Sequence, residues 1–129
     1  MIVVDASAVV DGLSAVDGTD DLRALMAAAE LSAPALLDYE VVAALRGLTL
    51  RRELSPARAE SALTDFDDLQ IQRWPAGAEL RMRAFQLRDK VSAYDAAYVV
   101  LAEALDCPLL TRDVRLSRAF GHLIDIHII

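Results

Sequence analysis

The chain has 129 residues, 55% of them hydrophobic and 5% aromatic, with 20 acidic against 13 basic side chains and a formal net charge of −7. That length fits one domain, residues 1–129, with one sizeable core, and the apolar fraction excludes a disordered chain. The acidic surplus argues against a protein that holds nucleic acid by overall basicity. A nuclease fits only if cations neutralise its site and local arginines hold the phosphates.

Twelve of the thirteen bases are arginine, Lys90 being the sole lysine. No apolar run reaches the roughly 18 residues of a membrane span. Met1–Val4 carries no basic leader before Asp5, which argues against a signal peptide. Cys107, the single cysteine, can form neither an internal disulfide nor a cysteine-based zinc site. These features point to a cytoplasmic protein without membrane contact.

Ile2, Val3 and Val4 form a short apolar run, the pattern of a central parallel strand covered on both faces. Asp5 follows at its carboxyl end, the edge where open α/β sheets collect ligand sites; taken alone it also reads as a turn or cap acid. Ser7 is expected to cap a short helix running to Leu13. A helix over Asp20–Leu31 follows, with Leu22, Leu25, Met26 and Ala29 as its apolar stripe and Asp20 and Asp21 at its positive end.

A second strand is expected over 32–35, around Pro34. Leu36–Leu50 reads as a helix with Leu37, Val41, Ala44 and Leu48 on one face. Glu40 falls on that same face, where an ionised carboxylate needs a partner, either an arginine or a shared site. Asp38 points elsewhere, toward solvent. Arg46, Arg51 and Arg52 lie toward the helix end, where they either complement its dipole or form a phosphate-holding rim.

Ser55–Pro56 is a strong helix start, and the helix runs to about Leu69 with Ala59, Leu63 and Phe66 inward. Gln70–Trp74 alternates polar and apolar, an edge strand ahead of Pro75. Ala76–Lys90 is expected to be helical, with Leu80, Ala84 and Leu87 inward and Arg81, Arg83, Arg88 and Lys90 outward. Ser92 and Asp95 have the offset of a capping box, and the helix they open is apolar nearly all round to Leu105, hence buried. Asp95 has two readings, closing the cap or facing a cleft. Leu109 and Leu110 form a further strand with Thr111 and Asp113 past its end. Asp113 also stands where another helix begins. Gly121 breaks that helix, and Ile124–Ile129 is the final strand.

The five scattered glycines form neither a phosphate loop nor a dinucleotide fingerprint, and no serine or cysteine sits in a nucleophile elbow. Four acids share one local context, each with a capping or pairing explanation of its own: Asp5, Glu40, Asp95 and Asp113. A parallel α/β topology brings them toward one sheet edge. Carboxylates so gathered repel and call for a hard, oxygen-loving cation, Mg²⁺ or Mn²⁺. Such a site suits phosphodiester hydrolysis without a protein nucleophile.

Residues 3–10 (VVDASAVV), 34–45 (PALLDYEVVAAL), 92–105 (SAYDAAYVVLAEAL) and 109–113 (LLTRD) resemble the signature blocks of PIN domains. More narrowly, they resemble the VapC-type ribonuclease toxins of bacterial toxin–antitoxin pairs. The resemblance spans the chain from first strand to last. It implies a three-layer α/β/α fold with a short, mainly parallel central sheet. It also implies Mg²⁺- or Mn²⁺-dependent cleavage of single-stranded regions of RNA, leaving a 5′-phosphate and a 3′-hydroxyl. The metal-binding and catalytic residues it implies are Asp5, Glu40, Asp95 and Asp113, with Ser7 and Thr111 as supporting groups. Arg46, Arg112 and Arg115 are expected to contact RNA phosphates. Some relatives carry a further acid or asparagine after the last aspartate; here Arg115 and Ser117 stand there. A small antitoxin partner and a homodimer are implied as well, and the −7 charge suits a basic partner. Two other readings share these residues: a DNA- or structure-specific nuclease, and a catalytically silent PIN-like module whose acids only cap helices.

Overall fold

The strongest local signal, the apolar run after Met1, becomes the middle of the sheet. In a computed structural model that describes residues 1–14 and 16–129, β1 (Ile2–Val4) pairs in parallel with β2 (Leu31–Pro34) on one side and with β4 (Leu109–Thr111) on the other. β3 (Gln72–Trp74) extends the sheet beyond β2, and β5 (Ile126–Ile128) extends it beyond β4, giving the order β3-β2-β1-β4-β5 with every pair parallel. β1, β2 and β4 are buried along their whole length. Their largely apolar character, broken only by the buried Ser32 and Thr111, is what a sheet covered on both faces requires. β3 is an edge strand, as its mixed pattern indicated.

The helices form the outer layers of the expected three-layer α/β/α arrangement. α1 (Ala6–Leu13) packs against α2 (Asp20–Ala28), α3 (Leu37–Leu50) and α4 (Pro56–Asp68). α5 (Ala78–Gln86) packs on α6 (Ala93–Leu105), which lies against β1, β2 and β4. α7 (Val114–Phe120) joins β4 to β5. Val3, Val4, Val9, Leu22, Leu37, Val41, Tyr98, Val99, Leu109 and Phe120 are among the residues that fill the core. No helix among the described residues is long and apolar enough to cross a membrane.

Several element ends differ from expectation. α2 stops at Ala28 rather than Leu31, since Leu31 pairs with Ile2 of β1. α5 spans Ala78–Gln86, shorter than the expected 76–90, and Leu87 leaves the helix to be buried. The last strand is confined to Ile126–Ile128. Asp38 is half-exposed, on the solvent side as expected, and is bridged there by Arg73 at 2.8 Å.

The topology places the site. From β1 the chain steps out one way to β2 and β3, and the later strands fill the other side. The carboxyl ends of β1 and β4 therefore flank a topological switch point, where α/β sheets open a crevice.

Candidate metal and nuclease centre

Asp5 leaves β1 in extended conformation and is the N-cap of α1: its Oδ1 accepts from the Ala8 amide at 3.1 Å. Ser7, expected to be that cap, lies inside α1 instead, and its hydroxyl donates to Asp5 Oδ1 at 2.6 Å. Thr111 donates its hydroxyl to Asp5 Oδ2 across 106 residues of sequence. Both hydroxyl protons are thus committed to Asp5, and the 3.4 Å approach of Ser7 Oγ to Thr111 Oγ1 is a contact of two acceptors. Those oxygens accept in turn: Ser7 Oγ from the Arg112 amide and Thr111 Oγ1 from the Asp113 amide, each at 3.0 Å. The two supporting residues clamp both oxygens of Asp5 and tie the β1 and β4 exits together.

Asp5 is only 7% exposed. Burial raises its pKa above the ordinary aspartate value; the bonds from Ser7, Thr111 and the Ala8 amide work the other way, and the nearby charge of Asp113 adds to the rise. Three donors are therefore not enough to make an ionised Asp5 comfortable. A buried acid perturbed in this way at a sheet crevice is a candidate for a functional site.

Asp113 is the N-cap of α7, its Oδ1 accepting from the Arg115 amide at 3.0 Å. The Arg115 guanidinium spans the same carboxylate, with Nε at 3.0 Å from Oδ1 and Nη2 at 2.7 Å from Oδ2. Those bonds, led by the side-chain one, hold the Asp113 pKa below its ordinary value.

Glu40 sits in the first turn of α3, half-buried, and its partner is not an arginine but Tyr98 of α6, whose hydroxyl donates to Oε1 at 2.5 Å. Burial raises the Glu40 pKa, the Tyr98 bond opposes that, and the charges of Asp95 and Asp5 raise it further. Tyr98, 2% exposed, is held protonated by its own burial and by Glu40 beside it. Sequence reading passed over Tyr98 as one more apolar helix residue. The available signal was its phenol: a tyrosine buried in an aliphatic helix needs a partner for its hydroxyl.

Asp95 lies half-buried in the first turn of α6. Ser92 Oγ accepts from its amide at 3.2 Å, so the serine half of the expected capping box forms. Among the described residues the Asp95 carboxylate accepts no hydrogen bond and makes no ion pair, and it is left facing the charges of Glu40 and Arg115.

All four acids thus share one electrostatic neighbourhood. Among the described residues, however, no three acids, histidines or cysteines converge closely enough to hold a metal ion together. Each of three acids has a partner of its own: Asp113 has Arg115, Glu40 has Tyr98, and Asp5 has Ser7 and Thr111. In donor chemistry the set still suits a hard divalent cation, being all carboxylate oxygen around one buried acid. Of the three arginines expected at RNA, Arg112 is engaged, with Nε 2.8 Å from Asp11 and Nη1 2.7 Å from the Ile129 carbonyl. Arg115 is engaged by Asp113, and Arg46 is exposed on α3.

Comparison with known proteins gives the family and the fold. The PIN domain family model matches residues 2–120. Ribonuclease VapC9 of Mycobacterium tuberculosis is 44% identical over 117 residues, 91% of this chain and 89% of that one. Ribonuclease VapC1 of the same organism is 46% identical over 120 residues, 92% and 90% of the two chains. Among solved structures, VapBC2 from Rickettsia felis bound to a DNA fragment from its promoter superimposes with a TM-score of 0.68 at 13% identity, covering 99% of this chain and 98% of the other. That last likeness is one of fold.

Proposed function

The chain belongs to the PIN-domain family and is of its VapC type, and from that premise we propose that it is an endoribonuclease toxin dependent on Mg²⁺ or Mn²⁺. It cleaves single-stranded regions of cellular RNA, works in the cytoplasm as a single nuclease domain, and is neutralised by a small cognate antitoxin. The observation that carries this reading is Asp5: a buried carboxylate at the sheet's switch point, clamped through both oxygens, with three more acids around it.

Asp5, Asp95 and Asp113 would hold the ion, directly or through water, with Glu40 beside them. Such an ion, when bound, neutralises the gathered acids and polarises both the scissile phosphate and the attacking water. Ser7 and Thr111 keep Asp5 from rotating away. Glu40, with its pKa raised by burial, is a better proton acceptor near neutral pH than a surface glutamate, and Tyr98 fixes the direction of its carboxylate. The hydrolysis leaves a 5′-phosphate and a 3′-hydroxyl. Arg46 and Arg115 hold flanking phosphates; Arg112, bound to Asp11 and the Ile129 carbonyl, contributes mainly by holding the β4 exit against α1.

An apolar cleft of about 570 Å³ between α5, α6 and the β2–α3 junction is lined by Trp74, Leu80, Ala84, Phe85, Tyr94 and Leu101, with Arg81 and Arg88 at its rim. It suits the amphipathic segment of an antitoxin, and exposed Met82, Phe85 and Tyr94 suit a homodimer or the same partner.

The test is cleavage-site mapping on total RNA with purified, antitoxin-free protein, with Mg²⁺ or Mn²⁺ against chelator, and with single-stranded DNA in parallel. Discrete, metal-dependent RNA cuts that vanish in Asp5→Asn and Asp95→Ala are expected. Cleavage of DNA alone would move the assignment to a DNA nuclease. Absence of any metal-dependent difference between wild type and Asp95→Ala would favour the silent binding module, the reading in which the caps at Asp5 and Asp113 are their whole purpose.

A further inference from the structure

We propose that Arg115 is a latch on Asp113, competing with the divalent ion for that carboxylate, so that loading of the site requires its release. The inference rests on the metal-dependent reading above and adds to it a residue that sets how readily the site is loaded.

Among the described residues, Asp113 alone of the four acids is held by a cationic side chain. Its two oxygens are both taken: Oδ1 by the Arg115 amide and Nε, Oδ2 by Nη2. The amide bond is a helix cap and leaves lone pairs free for an ion. The guanidinium fork covers both oxygens at once and, being cationic, opposes a second positive charge at the same place. The Arg115 side chain is 81% exposed while that of Asp113 is 23% exposed, so the arginine closes over a carboxylate that is mostly buried beneath it. Asp95 also acts on Arg115 with its charge.

The same exposure makes the latch releasable. An ion pair in contact with water is weak, and the arginine has open solvent to swing into. Its Asp113 bonds are local, two residues apart in the chain, so release disturbs no packing. Freed, the guanidinium is available for the phosphate contact proposed above.

Two measurements on the full chain test this without reading cleavage. In ¹⁵N-labelled protein titrated with Mg²⁺ alone, the Arg115 Nε–H resonance, assigned by its loss in Arg115→Lys, should move to the position of a free arginine. It should do so in step with the Asp5 and Asp95 amides. By calorimetry, Arg115→Gln should bind Mg²⁺ or Mn²⁺ about two- to fivefold more tightly, the range expected for loss of an exposed ion pair. That gain should disappear when Asp113→Asn is added. Saturation of the Asp5 and Asp95 amides with Arg115 Nε unmoved overturns the latch. So does a gain that persists in the Asp113→Asn background, which would report charge removal only, or no gain at all. If neither the Asp5 nor the Asp95 amide responds to Mg²⁺ or Mn²⁺, the metal-site reading itself fails and the latch falls with it.

Discussion

Replacing Asp5 by asparagine should abolish metal-dependent cleavage while making the metal-free protein more stable. The side chain is 7% exposed and its pKa is raised chiefly by burial. The sign follows from proton linkage. With the folded pKa above the unfolded one, the folded state binds more protons between the two values, so stability falls as pH rises through that interval. At neutral pH the full loss is present, and asparagine removes it.

The geometry sets the size of the effect. The Asp5→Asn side chain keeps an oxygen for the Ser7 hydroxyl and the Ala8 amide, and asparagine remains a good N-cap. Its amide end can no longer accept from Thr111. Loss of negative charge at the α1 N-terminus opposes the gain by about 0.3–1 kcal/mol. Desolvation of an ion is worth several kcal/mol, but three donors already offset most of it, leaving a net gain of about 1 kcal/mol. For a chain of this size that raises Tm by about 3–5 °C.

Thermal unfolding in chelator at pH 7 reads this directly, and the difference should close as pH falls through the folded pKa of Asp5. Added Mg²⁺ should then reverse the ranking. Binding to the folded wild type at a hundredfold excess over Kd contributes about 2.7 kcal/mol, which the variant should largely lack. A variant less stable than wild type by about 1 kcal/mol or more in chelator would overturn this account of Asp5. Equal stabilisation of both proteins by Mg²⁺ would do the same.

Tyr98→Phe should destabilise the fold by about 1–2 kcal/mol in urea unfolding, since a hydrogen bond to a charged group is lost from a half-buried acid. Because that bond lowers the Glu40 pKa, its removal should shift the acidic limb of the cleavage profile to higher pH; an unmoved limb would separate Glu40 from the chemistry. Ser7→Ala removes a donor to Asp5 and the acceptor of the Arg112 amide, and a loss of about 1–3 kcal/mol is expected, with a fall in kcat greater than any rise in KM. Leu110→Ala, in the fully buried middle of β4, should cost about 2–5 kcal/mol by cavity formation. A loss below about 1 kcal/mol would mean that the site's β4 wall is not packed as described.

Much of the architecture follows from local chemistry that a single sequence carries. Short apolar runs at 2–4 and 109–110 read as strands covered on both faces, and Ser55–Pro56 and Ser92 as helix starts, because capping and burial act within a few residues; that β4 takes in Thr111 as well did not show. The four acids were legible as candidates only: Glu40 falls on an apolar helix face, while Asp5, Asp95 and Asp113 stand at element ends, where a cap accounts for an acid as well as a site does. Hydrogen bonds between residues far apart left no such mark. That Asp5 rather than Ser7 caps α1 was decided by Thr111 and the Arg112 amide, which reach Asp5 and Ser7 across more than 100 residues. Glu40 found Tyr98, 58 residues away, where the sequence offered an unnamed arginine or a shared site, and Arg112 was claimed by Asp11. Helix ends at Ala28 and Gln86 were likewise set by what the following residues pair with or bury. Residue type and local period determine which groups need a partner; which partner meets the need depends on strand order and helix packing, which bring together side chains with no relation along the chain.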